Sequence, residues 1–98
     1  MNPVAIDPDA RDEIDNALAV SRNAARLRTA LAAALARIQA NPQIGVAISG
    51  TQGRQYAFVR PRLPYSIVYV EETNRIRVVA FPHHKRRPGY WRNRLPKP

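Results

Sequence analysis

The 98-residue chain contains no cysteine and only one methionine, one tryptophan and four glycines. Without cysteine there is neither a disulfide framework nor a thiolate metal site, which suits a reducing compartment. Long apolar runs are missing too. The longest, ALAAALA at 30–36, falls far short of the roughly 20 residues that span a bilayer, so no membrane segment is expected. The opening MNPVAIDPDARDEIDNA is acidic where an export signal is basic and then apolar, so a cytoplasmic location is expected. Acid itself is scarce beyond that point: Asp7, Asp9, Asp12, Glu13 and Asp15 stand near the start against Arg11, and only Glu71 and Glu72 follow.

What is present is base. The formal net charge is +9, and the chain after the first 15 residues carries more than that, fifteen bases against two acids, because the opening is itself net acidic. Such a field attracts polyanions, whether nucleic acid, anionic lipid or an acidic protein, without choosing among them. Hydrophobic residues at 45% and charged residues at 23% are ordinary globular usage, so a packed core in one domain over residues 1–98 is expected. The cations culminate in PHHKRRPGYWRNR at 82–94, which has two histidines, two aromatics, five lysines and arginines, and no acid.

PVAI at 3–6 predicts a short strand. Asp7 is placed to cap, and Pro8 to open, a helix whose buried face is Ala10, Ile14, Ala17 and Leu18, with Asp9, Asp12, Glu13 and Asp15 outside it. A second stripe of Leu27, Leu31, Ala34, Leu35 and Ile38 predicts a helix from about Asn23 to the NP at 41–42. SRN at 21–23 holds no glycine or proline; a helical hairpin is preferred over one continuous helix of unusual length. Residues 42–53 read as loop. RQYAFVR at 54–60, YSIVYVEE at 65–72 and RIRVVAF at 75–81 then predict an antiparallel three-strand meander. The expected fold is α+β: a sheet of about four strands, both helices on one face, and a basic C-terminal tail beside the other.

The tail invites a nuclease reading. Cutting RNA through its own 2′-hydroxyl needs a base, an acid and cations for the growing phosphate charge. His83, His84, Arg86, Arg87 and Tyr90 supply those types, although adjacent histidines in extended chain point to opposite faces. The plainer reading has Tyr90 or Trp91 plugging the sheet while the cations stay in water. Two neighbouring histidines without cysteine or carboxylate make no usual metal set. No serine or threonine forms a recognisable motif with histidine, and no cofactor is indicated. Tyr56, Phe58, Tyr65 and Tyr69 serve as core packing more readily than as base-stacking groups. Arg60 and Arg62, flanking Pro61, join Arg86, Arg87, Arg92 and Arg94 as a candidate anion-facing surface.

Taken together, DPDARDEI, the ANP after the second helix, PYSIVY at 64–69 and HHKRRPGYW at 83–91 resemble the RelE/ParE superfamily of toxins from bacterial type II toxin-antitoxin modules. The resemblance implies a growth-inhibiting protein held inactive by a cognate acidic or amphipathic antitoxin laid over its helices and sheet, with Leu27, Arg28, Leu31 and Arg54 as candidate contacts. It also implies one of two targets, the ribosome with its mRNA for RelE-like nucleases or DNA gyrase for ParE-like poisons. RelE-like nucleases carry lysines where this chain has Ala57 and Val59, and an arginine where it has Ser66. Those departures favour a ParE-like binding toxin, whose target contacts would be Arg60, Arg62, Arg86, Arg87, Tyr90, Trp91, Arg92 and Arg94. The alternatives are the ribosome-dependent endoribonuclease and a non-toxic basic nucleic-acid module.

Overall fold

The computed structural model describes residues 2–58 and 62–98. In chain order the elements are β1 (Val4–Ile6), α1 (Pro8–Val20), α2 (Ala24–Ala40), β2 (Val46–Ala47), β3 (Gly53–Ala57), β4 (Ser66–Glu71), β5 (Ile76–Ala80) and a 3-10 turn at Arg92–Arg94. The strands form one sheet in the order β1-β5-β4-β3-β2. β1 runs parallel to β5 and every other pairing is antiparallel. This is the α+β plan read from the sequence, with one strand more. β2 was missed because its two residues are both exposed and carry no alternating pattern.

The helices are separate, as the stripes implied. The Asn23 side chain accepts the Arg26 N–H at 3.0 Å and so satisfies one orphan donor of α2. Asp7 does precede α1 with Pro8 in the first turn, but its carboxylate makes no cap bond. It accepts instead from Arg77 Nη1 at 2.6 Å, tying the helix start to β5.

Strand alternation divides the core. Tyr56, Phe58, Ile67, Tyr69, Ile76, Val78 and Phe81 meet Ala10, Ile14, Ala17, Leu27, Ala30, Ala34 and Ile38 on the helix side. Val68, Val70, Val79 and Ala80 face the other way and are covered by Trp91 and Leu95. The tail therefore roofs the second sheet face and leaves less of it free than the sequence suggested. The β4–β5 register slips by one, from Tyr69↔Val78 to Val68↔Ala80. Val79 is thus a bulge residue, which puts Val79 and Ala80 together under the tail.

The C-terminal end is fastened by the β2–β3 connection: Gln52 N–H donates to Pro96 O at 3.0 Å and Gln52 Nε2 to Lys97 O at 2.6 Å. An ideal β-carbon on Gly53 would lie 2.7 Å from a Leu95 methyl, so glycine makes room for the tail.

Candidate functional site

From Phe81 the chain leaves β5 and crosses the end of β4. A bridge pairs His83 with Tyr65, and His84 N–H donates to Pro64 O at 2.8 Å. The two histidines diverge. His83 sits edge-on to Tyr65, with ring centroids 5.0 Å apart, and its Nδ1 accepts the Lys85 N–H at 3.0 Å. His84 turns to the other side, where its Nε2 lies 3.0 Å from the hydroxyl of buried Ser66. It shares an open cleft of about 710 Å³ with Ala57, Phe58, Arg62, Leu63 and Pro64.

Gly89, with φ of +76°, turns the chain in a conformation that glycine adopts without strain, and Trp91 and Leu95 then seat on the sheet. Between this segment and β2–β3 runs a shallow groove in two lobes of about 190 and 420 Å³ that share Gln55, Pro88, Gly89 and Trp91. His83, His84, Arg86 and Arg87 stand at one end of it. Val46, Ile48 and Arg92 stand at the other, where Arg92 Nη2 donates to Ser49 O at 2.6 Å.

The tail cations do not form a single ledge. Arg94 turns under the tail, donating to Val79 O at 3.0 Å and to Glu13 Oε2 at 3.2 Å. Arg86 Nη1 lies 3.9 Å from the same carboxylate. Both guanidiniums contact Tyr90: Arg86 Cζ is 4.2 Å and Arg94 Cζ 5.3 Å from its ring centroid, close enough for cation–π attraction. The Tyr90 hydroxyl is buried without a hydrogen-bond partner among the described residues. Burial, next the Glu13 charge, and then the approach of the hydroxyl to the Glu13 carboxylate, too loose for a well-formed bond, push its pKa up to about 12. Lys85, Arg86, Arg87 and Arg92 remain exposed. Arg60 lies outside the described residues, as does Val59; Arg62 is exposed beside the cleft.

Of the candidate antitoxin contacts, Leu27 is only 4% exposed and belongs to the core. Leu31 is half-buried and Arg28 exposed on α2. Arg54 is spent on the preceding loop, its Nη1 donating to Gly45 O at 2.8 Å. Glu13 is the important residue that sequence reasoning placed wrongly. Expected on the outer helix face, its side chain is only 11% exposed. Its spacing from Ala10 and Ala17, three and four residues away, was the available signal, since such neighbours share one helix face.

Among the described residues no group of histidines and carboxylates is arranged to hold a metal, and no helix is long and apolar enough to cross a membrane. No curated protein matches the chain. Residues 4–88 match the family model for the ParE toxin of the parDE type II toxin-antitoxin system, and the mixed sheet with its paired N-terminal helices agrees with the RelE/ParE-like fold. The chain therefore belongs to the ParE family of type II toxins.

Proposed function

We propose that this toxin stops growth by binding DNA gyrase through its C-terminal segment, and not by cutting RNA. The observation that carries this reading is the state of Tyr90. Guanidiniums lie against its ring at 4.2 and 5.3 Å, and its hydroxyl is buried with a pKa of about 12. A tyrosine so enclosed is poorly placed to stack on a base. It also sits far from the near-neutral pKa that suits proton transfer at physiological pH. The central cations of an RNA-cleaving relative are absent as well. Ala57 is exposed where a lysine would stand, and Ser66 is buried where an arginine would stand. A phosphate in transition would meet little compensating charge there.

Binding asks less of these residues. Lys85, Arg87 and Arg92 project from a segment held firmly by Trp91 and Leu95, giving exposed charge on a preorganised backbone. The groove beside them offers Gln55, Trp91 and Val46 for contacts that are not purely electrostatic. Family membership implies an antitoxin. The exposed Arg28 and half-buried Leu31 on α2 suit an acidic amphipathic helix laid along that face.

Controlled expression in a bacterium, with trapping of gyrase–DNA cleavage complexes and mapping of mRNA ends, tests the reading. Trapped double-strand breaks support it. Codon-positioned RNA cuts without such breaks would overturn it in favour of a nuclease using His84. A soluble protein with no toxicity would leave a basic nucleic-acid-binding module.

A further inference from the structure

The Glu13–Arg94 pair sits where the sheet would otherwise need more strand. β1 ends at Ile6, opposite Val78, and the bond from Asp7 N–H to Val78 O, 2.9 Å long, continues that edge by one residue. The bulge at Val79 then changes the phase of β5, so Val79 C=O and Phe81 N–H turn away from β4. Two side chains take these groups. Glu13 Oε1 accepts Phe81 N–H at 2.8 Å, Arg94 Nη1 donates to Val79 O at 3.0 Å, and the pair closes between Nη2 and Oε2 at 3.2 Å. One partner comes from α1 and the other from the tail. Together they supply the donor and acceptor that a continuing β1 would have offered, and buried backbone groups require such partners.

The same carboxylate sorts the tail's charge. Arg94 is 24% exposed and held inward, with Asp9 Oδ2 also 3.9 Å from its Nε, whereas Arg86 touches Glu13 only at 3.9 Å and keeps 59% of its side chain exposed. Lys85, Arg87 and Arg92 make no ion pair among the described residues. We infer that Glu13 is the positioning residue of the target surface: by holding Arg94 inward it sets the seat of residues 86–95 and withholds that cation from the target. This rests on the tail being the target-binding surface, though Glu13 itself need touch no target.

The inference gives opposite signs to two measurements that simple loss of fold would move together. In the full chain, Glu13→Gln removes the charge that holds Arg94 inward, so binding to a short DNA duplex strengthens and its salt slope steepens by about one phosphate contact. Growth inhibition meanwhile falls by about tenfold as the surface loses its geometry. Trp91 is the only tryptophan, and its emission becomes more accessible to acrylamide while the circular dichroism stays native. Arg94→Met loosens Trp91 in the same way but does not strengthen DNA binding, because a cation goes with the pair.

Should Glu13→Gln not fold, Glu13→Asp carries the test: it keeps the charge, shortens the reach, and raises quenching with DNA affinity near that of the parent. Unchanged quenching and unchanged DNA affinity in a folded Glu13→Gln protein would overturn the inference. So would a loosened Trp91 with full growth inhibition. Neither the quenching nor the duplex measurement contains gyrase, so failure of the gyrase reading shows separately, in the cleavage-complex assay.

Discussion

Leu95 occupies the space in which Gly53 has no side chain: a β-carbon there would come within 2.7 and 2.8 Å of the two Leu95 methyls. The contact fixes the far end of the tail to β3, and it makes a paired prediction. Leu95→Ala removes a residue only 7% exposed and should cost about 2–4 kcal/mol. Gly53→Ala should cost about 1–3 kcal/mol by overpacking. The double variant should lose less than the sum, since the new methyl enters the space that Leu95 vacates. Urea midpoints of the four proteins measure this, and strict additivity would contradict the packing.

Tyr69 makes a similar anchor on the helix side. Its hydroxyl donates to Pro42 O at 2.6 Å and accepts the Gly45 N–H at 2.9 Å, holding the chain between α2 and β2. Tyr69→Phe strands both backbone groups and should destabilise by about 1–3 kcal/mol. Gly45→Ala should do comparable harm, because its β-carbon would fall 2.7 Å from that hydroxyl and 3.1 Å from Gln55 O. Since neither residue lies on the tail, growth inhibition per folded molecule should hold for both. A fall in potency beyond the folded fraction, judged by thermal melts beside growth curves, would count against that separation.

Both helical stripes and the three long strands were legible because burial on one side leaves a period in the sequence. The roof on the second sheet face was half legible. Ser66 through Val70 are all buried, and the unbroken apolar run IVYV within that stretch belongs to a strand covered on both faces. Trp91 as a plug on the sheet was among the sequence readings and is what the fold shows, whereas Leu95 beside it was not legible, because it is a single apolar residue among cations. Nor was the diversion of Arg94, which depends on a bulge at Val79 that no residue type announces. The groove with Gln55 was hidden for the same reason, since its walls come from β2, β3 and the tail.

Alkali should reveal the enclosure of Tyr90. Its folded pKa of about 12 exceeds the unfolded value of about 10, so the neutral form is favoured on folding. Its contribution is complete below about pH 10 and is lost as pH rises towards 12. Tyr69, also raised chiefly by burial, acts in the same direction. Tyr90→Phe should stay within about 1 kcal/mol of the parent at neutral pH, because the buried hydroxyl it removes makes no well-formed hydrogen bond and only approaches the Glu13 carboxylate. It should also lose stability less steeply above pH 10, and equal slopes for the two proteins would contradict the enclosure.

The exposed tail cations should matter to the target and little to the fold. Arg87→Ala is expected to change stability by less than about 0.5 kcal/mol, and Arg92→Ala, which also loses the bond to Ser49 O, by about 0.5–1.5 kcal/mol. Each should reduce growth inhibition by about three- to tenfold, with weaker gyrase binding at higher salt. Arg28→Ala, on α2, should leave potency intact and weaken antitoxin neutralisation. Equal loss of potency from all three would place the target surface elsewhere.

The most direct measurement compares purified parent and Tyr90→Phe proteins for gyrase-linked DNA cleavage and growth inhibition. A binding toxin keeps the aromatic ring against which Arg86 and Arg94 lie, so the variant should match the parent within about twofold in both assays. A loss of about a hundredfold or more, the scale of removing an acid–base group, together with codon-positioned RNA cuts by the parent, would contradict the account.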